Sequence, residues 1–211
     1  YQYLPEETRL LVEKSIEEKA FVTALDKEYD SFYNGSGNWN QVCNAGLVFG
    51  ALAIYDKAPE KAQKIIDKCY ATIPRALEAY KPDGTYGEGF MYWDYGTSFQ
   101  AMLNCALETV GMTTFADANA FEKSAEYYFH MVGPSRKCFN YSDCSEKVST
   151  STAMFYFAAK KQDPSLLYWE MEHIKNNLET NRLLPSVLVY TKDLDISSIP
   201  IPVKKLILVS V

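Results

Sequence analysis

Histidine is almost missing from this chain: two in 211 residues, His130 and His173, far apart. No CxxC pair occurs either. These shortages argue against a structural zinc site, which draws on close-set Cys and His. No apolar run reaches the ~20 residues that cross a bilayer as a helix. The first residues lack the basic segment, apolar core and cleavage site of a secretory leader. The chain opens on Tyr1 rather than Met, so a removed leader is compatible with it and the absence is silent on location. Surplus positive charge is lacking as well: 21 Lys and Arg stand against 27 Asp and Glu, net −6. Nucleic-acid binding rests on surplus cations at phosphates, so the charge argues against a general role of that kind. A local cationic or amide-lined pocket for an acidic ligand is not.

What the chain has in quantity is aromatic surface with a polar tip. Aromatics make up 14% of the residues, and 16 of them are Tyr. Such rings suit a groove that must be both apolar and hydrogen-bonding. The length allows one domain or two small ones with a sizeable core. Of five cysteines, Cys43, Cys69 and Cys105 fall on apolar helix faces, as small hydrophobes do. Cys138 and Cys144 flank a loop and could pair under oxidation, but free thiols are the expectation.

Periodicity predicts helices over most of the chain. Residues 5–29 start with Pro5, Glu6 and Glu7, which suits a helix N-terminus, with a break near Phe21. Residues 39–55 and 60–80 follow. The second repeats apolar positions at three and four spacing, and Pro74 predicts a kink in it. Residues 90–110, 119–132, 149–161 and 164–178 complete the set, the last two as a hairpin joined through Gln162 and Asp163. From residue 183 onward three prolines and the runs 187–190 and 206–211 read as a linker entering a β-rich region. The expectation is an all-α body over 1–182, in antiparallel pairs, cut from a longer protein. No strict repeat appears, and an irregular bundle is the alternative.

Two stretches carry candidate chemistry. The first is GNWNQVCN at 37–44. An amide offers two donors and an acceptor. Asn38 is a good helix N-cap, and two Asn cannot cap one end, so one of Asn38 and Asn40 is spare for a ligand. The second is DGTYGEGFMYWDYGT at 83–97, glycine-rich and crowded with Tyr92, Trp93, Asp94 and Tyr95. Tyr92 and Tyr95 share a helix face, and a tyrosine can transfer protons when its surroundings favour it. Glu88 and Asp94 are the candidate acid pair for glycoside hydrolysis, with capping as the plainer role of Asp94.

The stretch NWNQVCNAGLVFGALA, the helix after it, DGTYGEGFMYWDYGT, the FNYSD loop and the proline-rich exit together resemble the heparinase II/III and alginate lyase superfamily of polysaccharide lyases. The resemblance spans nearly the whole chain. It implies an incomplete (α/α) toroid preceding an antiparallel β-sandwich domain, and a periplasmic or secreted location. It implies β-elimination at a uronic acid of an acidic polysaccharide, without a cofactor. Asn38 or Asn40 would neutralise the carboxylate, and Tyr95, with Tyr92 as rival, would transfer the proton. Trp39, Glu88, Trp93, Asn140 and Tyr141 are the candidate substrate contacts. Many members place His beside the neutralising Asn, where this chain has Trp39, Asn40 and Gln41. Neither His130 nor His173 matches a motif, so both are taken as structural. A glycoside hydrolase on a helical toroid and a glycan-binding module without activity are the other readings.

Overall fold

A computed structural model describes residues 3–29, 31–116, 119–176 and 182–201. Among these, regular structure is helical, apart from one isolated antiparallel bridge between Val132 and Cys138. The chain divides into two compact units, Tyr1–Glu78 and Ala79–Val211.

Unit 1 begins with α1 (Glu6–Ser15). Its chain continues without a break through a π-helical stretch, Ile16–Phe21, into α2 (Val22–Leu25). The break expected near Phe21 is thus a widened turn that ends there, and Phe21 is fully buried. Such π segments need a local cause. Gly50 bears on it, since a Cβ there would come within 3.1 Å of Ile16 Cγ2. A short α3 (Ser31–Asn34) leads to α4 (Asn38–Ala53), and a turn at 54–58 leads to α5 (Pro59–Leu77). Pro59 opens α5 where its missing N–H costs nothing. Helices α4 and α5 form a hairpin whose core is Ala45, Val48 and Ala51 against Ile65, Ile66, Cys69 and Ile73. Pro74 lies in the last turn of α5, and the chain tightens into a 3-10 turn, Glu78–Tyr80, just after it.

Unit 2 carries α6 (Phe90–Thr109), α7 (Asn119–Met131), α8 (Thr152–Lys161), α9 (Tyr168–Asn176) and α10 (Val187–Tyr190). Its core is a run of rings. Tyr80 meets Phe121 edge-on at 5.3 Å, Phe121 meets Phe157 at 5.3 Å, and Phe90 meets Trp93 at 5.3 Å. Such pairs add to plain area burial. The α8–α9 hairpin turns at Gln162, in the left-handed region at φ 49°, and at Asp163. Asp163 caps the 3-10 turn Pro164–Leu167 by accepting from the Ser165 backbone N–H at 3.1 Å.

The end of the described chain corrects one expectation. Residues 187–190 are helical, not a strand. Pro185 sits in the first turn of a 3-10 segment, Leu184–Ser186, that feeds α10, and Tyr190 packs edge-on against Tyr156 of α8 at 5.7 Å. Burial of that ring overrides the β propensity of two valines. The other expected strand, 206–211, lies outside the described residues. Among the described residues, no helix is long and apolar enough to cross a membrane.

Candidate active site

Each motif sits at the start of a helix, one in each unit. In unit 1, α4 begins at Asn38, and the residue in the capping position is Gly37, with no side-chain cap. Asn38 is therefore not the N-cap its position suggests, although it is buried. Asn40 is fully buried. Its amide Nδ2 donates toward three backbone carbonyls: Tyr33 at 3.2 Å, Gly35 at 3.0 Å and Thr72 at 3.2 Å. Its Oδ1 accepts from Asn44 Nδ2 at 3.0 Å, and Asn44 also reaches Thr72 Oγ1 at 3.2 Å. Asn40 thus ties the loop before α4 to α5, and its donors are committed within unit 1. Trp39 points the other way and is 66% exposed.

In unit 2 the glycine-rich approach is shaped by two positive-φ turns. Gly84, at φ +88°, lies flat on the backbone of Lys123 and Ser124. Gly89, at φ +100°, has no room for a Cβ: one would stand 2.8 Å from Tyr141 O and 2.9 Å from Cys144 Cβ. Only glycine meets both demands. This close approach lets α6 start against the 133–147 loop. Tyr141 completes the contact by donating its hydroxyl to Tyr86 O, and its oxygen lies 2.8 Å from Tyr127 Oη. Burial, then the Tyr141 hydroxyl, raises the Tyr127 phenol far above its usual range.

The first turns of α6 divide their aromatics by face. Trp93 is fully buried, donates its indole N–H to Ser124 Oγ, and packs on Tyr127 at 5.6 Å and Tyr128 at 6.3 Å. It is a core ring, and the sugar contact expected of it is corrected on that ground. Tyr92, Asp94 and Tyr95 instead line a pocket of about 350 Å³, with Met91, Ser98, Arg182 and Leu183. That volume is at the small end of ligand sites. The Arg182 guanidinium stands 5.9 Å from the Tyr95 ring centre and 5.8 Å from that of Phe99. Glu88 is half-buried in the turn before α6 and does not line this pocket. Asn140 is exposed, and Tyr141 is held by the contacts just described.

Asp94 on the pocket wall is one of two electrostatically linked carboxyls, of which the sequence reveals only this half. Asp94 is half-buried, with Ser98 Oγ donating to its Oδ1 at 3.4 Å. Burial pushes its pKa up to about 6, against hydrogen bonds from Ser151 and Ser98. Glu170 of α9 is fully buried and accepts from the Ser151 backbone N–H at 2.9 Å, so it caps α8 from a neighbouring helix. Burial pushes Glu170 up to about 7. The Asp94 charge adds to that, while Tyr128, the Ser151 N–H and Arg136 oppose it. Arg136 reaches this group through Tyr128, donating to its hydroxyl at 2.9 Å. Carboxyls in such settings change protonation near neutrality, a property common at functional sites.

The comparisons assign no family. No family model matches the chain, and no curated protein matches it. Function therefore has to be read from the residues. Of the nine expected site residues, the pocket brings together Tyr92 and Tyr95. The sequence does not single out Ser98, Arg182, Ser151 or Glu170. Only the spacing of four between Asp94 and Ser98 on one helix could have pointed to any of them. Among the described residues, no cluster of three or more His, Cys, Asp or Glu could hold a metal ion.

Proposed function

We propose that this chain is part of a polysaccharide lyase that cleaves an acidic, uronate-containing glycan by β-elimination. One observation carries the reading: the pocket that gathers Tyr92, Asp94 and Tyr95, from the first turns of α6, with Arg182. Arg182, on the pocket wall, supplies the positive charge that an acidic sugar needs, and a guanidinium can pair with a carboxylate. Tyr95, within reach of that charge, is the proton-transfer group, with Tyr92 as its alternate. In the reaction the C5 proton leaves to the base, the C4–oxygen bond breaks, and a C4=C5 double bond forms. The leaving glycosidic oxygen takes up a proton. The resemblance assigns carboxylate neutralisation to Asn38 or Asn40, but the Asn40 donors are already taken by backbone carbonyls of unit 1, and within this pocket the positive charge is that of Arg182. The same resemblance supports an incomplete (α/α) toroid followed in the full protein by a β-sandwich domain.

A second reading has its own support. Asp94, held protonated to about pH 6, is the state a glycosidase requires of its general acid. The two reactions leave different products. Incubation with uronic-acid polymers is expected to raise ultraviolet absorbance from the new conjugated double bond. New reducing ends without that absorbance would overturn the lyase in favour of a hydrolase. Sugar binding with neither product would leave a glycan-binding module.

A further inference from the structure

Five residues separate Cys138 from Cys144, and the loop they form, FNYSD, faces the start of α6. Both cysteines are buried, and their sulfurs stand 3.7 Å apart. Their positions are fixed on both sides. The Cys138 N–H donates to Glu146 O at 3.1 Å, and the next N–H, of Phe139, donates to Met131 O at 2.8 Å. Cys144 is pinned by Gly89, whose missing Cβ leaves room for its own, and by the Met91 N–H, which donates to its sulfur at 3.3 Å. The remaining cysteines, Cys43, Cys69 and Cys105, lie on three different helices, α4, α5 and α6.

We infer that Cys138 and Cys144 form a disulfide when the protein folds in an oxidising environment, closing the FNYSD loop against the glycine-rich start of α6. A disulfide needs its sulfurs at about 2.05 Å, so the two sulfurs, 3.7 Å apart, have to close by less than about 2 Å, with the surrounding backbone already tied. The bond would fix Tyr141, which lies inside the closed loop and donates to Tyr86 O. Two thiols become one disulfide, and two electrons and two protons leave. A small-molecule disulfide such as oxidised glutathione takes them up: one cysteine thiolate attacks it and expels a glutathione thiolate, and the second cysteine then displaces the other. Burial, followed by the neighbouring Cys144, raises the Cys138 thiol to about 12. The folded Cys138 thiol is therefore a poor nucleophile, and both thiols are buried, so the bond forms as the chain folds. None of this depends on the lyase reading.

The test is a count of thiols. The protein is unfolded in urea, refolded with oxidised and reduced glutathione, then denatured and alkylated without a reductant. Of the five cysteines, alkylation is expected to reach three, Cys43, Cys69 and Cys105, and peptide mapping is expected to find residues 138 and 144 joined. Cys138→Ser and Cys144→Ser proteins, treated alike, are each expected to show all four remaining thiols alkylated. Five alkylated thiols in the parent protein would overturn the proposal. So would glutathione adducts on Cys138 or Cys144 in place of the internal bond, or a bond to any of the other three cysteines.

Discussion

Asn40 in unit 1 and Asp94 in unit 2 both sit near the start of a long helix, in the two motifs that the resemblance singles out. Their environments differ. Asn40 is neutral and buried, and three carbonyls use its donors. Asp94 is a carboxyl at the edge of a pocket, raised to about 6, with the fully buried Glu170 as a second acid behind it. A buried polar group with all its partners holds structure together. A titratable group that the fold keeps away from its preferred charge state can exchange a proton, and it does so where a ligand can enter. The comparison separates a staple from a site, although both carry residue types suited to chemistry.

The comparison breaks first at Asn40. Asn40→Ala removes the donor for three carbonyls and is expected to lower stability by about 3 kcal/mol or more, read from urea unfolding. A loss under about 1 kcal/mol would show that water replaces the amide easily, and Asn40 would not be a staple. Its neighbour sharpens the point. Trp39→Ala, at a position 66% exposed, is expected to shift stability by no more than about 0.5 kcal/mol.

In unit 2, Gly89→Ala forces a side chain into left-handed backbone and against Tyr141 O and Cys144. It is expected to cost about 2–3 kcal/mol, and an unchanged melting temperature would mean that the 133–147 loop is not packed on α6. The buried acid predicts a pH dependence. The folded pKa of Glu170, about 7, lies above the ordinary Glu value of about 4.3. The folded state thus binds more protons than the unfolded state between those values, and stability falls as pH rises through that window. The fall is expected to be roughly 3–4 kcal/mol and to flatten in Glu170→Gln. An equally steep fall in the variant would remove Glu170 as its source.

Much of the helical body was legible because apolar positions recur at helical spacing in residues 39–55, 60–80 and 90–110. The signal is local, and so is the structure. The π stretch at Ile16–Phe21 was not legible, because its fit to Gly50 of another helix leaves no local pattern. Residues 187–190 read as strand because VLVY is β-prone, whereas the packing of Tyr190 on Tyr156 decides the helix. The site was legible in part. The three-residue spacing of Tyr92 and Tyr95 puts them on one face and, by the same geometry, turns Trp93 into the core. Asn40 gave no sign of burial, since an Asn in the first turn of a helix is ordinarily wet. Glu170 lies within WEMEH, which reads as a solvated helix face. Its link to Ser151 crosses the α8–α9 hairpin and leaves no trace in spacing.

The central claim is that the unit 2 pocket performs an elimination with Tyr95 moving the proton. The direct measurement is the ultraviolet absorbance of unsaturated product, followed for the parent protein and for Tyr95→Phe on a uronate polymer that the parent cleaves. The variant keeps the ring and loses only the hydroxyl. It is predicted to melt at the parent's temperature, hold KM within a few-fold, and lose at least about 100-fold in kcat. Full turnover by Tyr95→Phe would contradict the account.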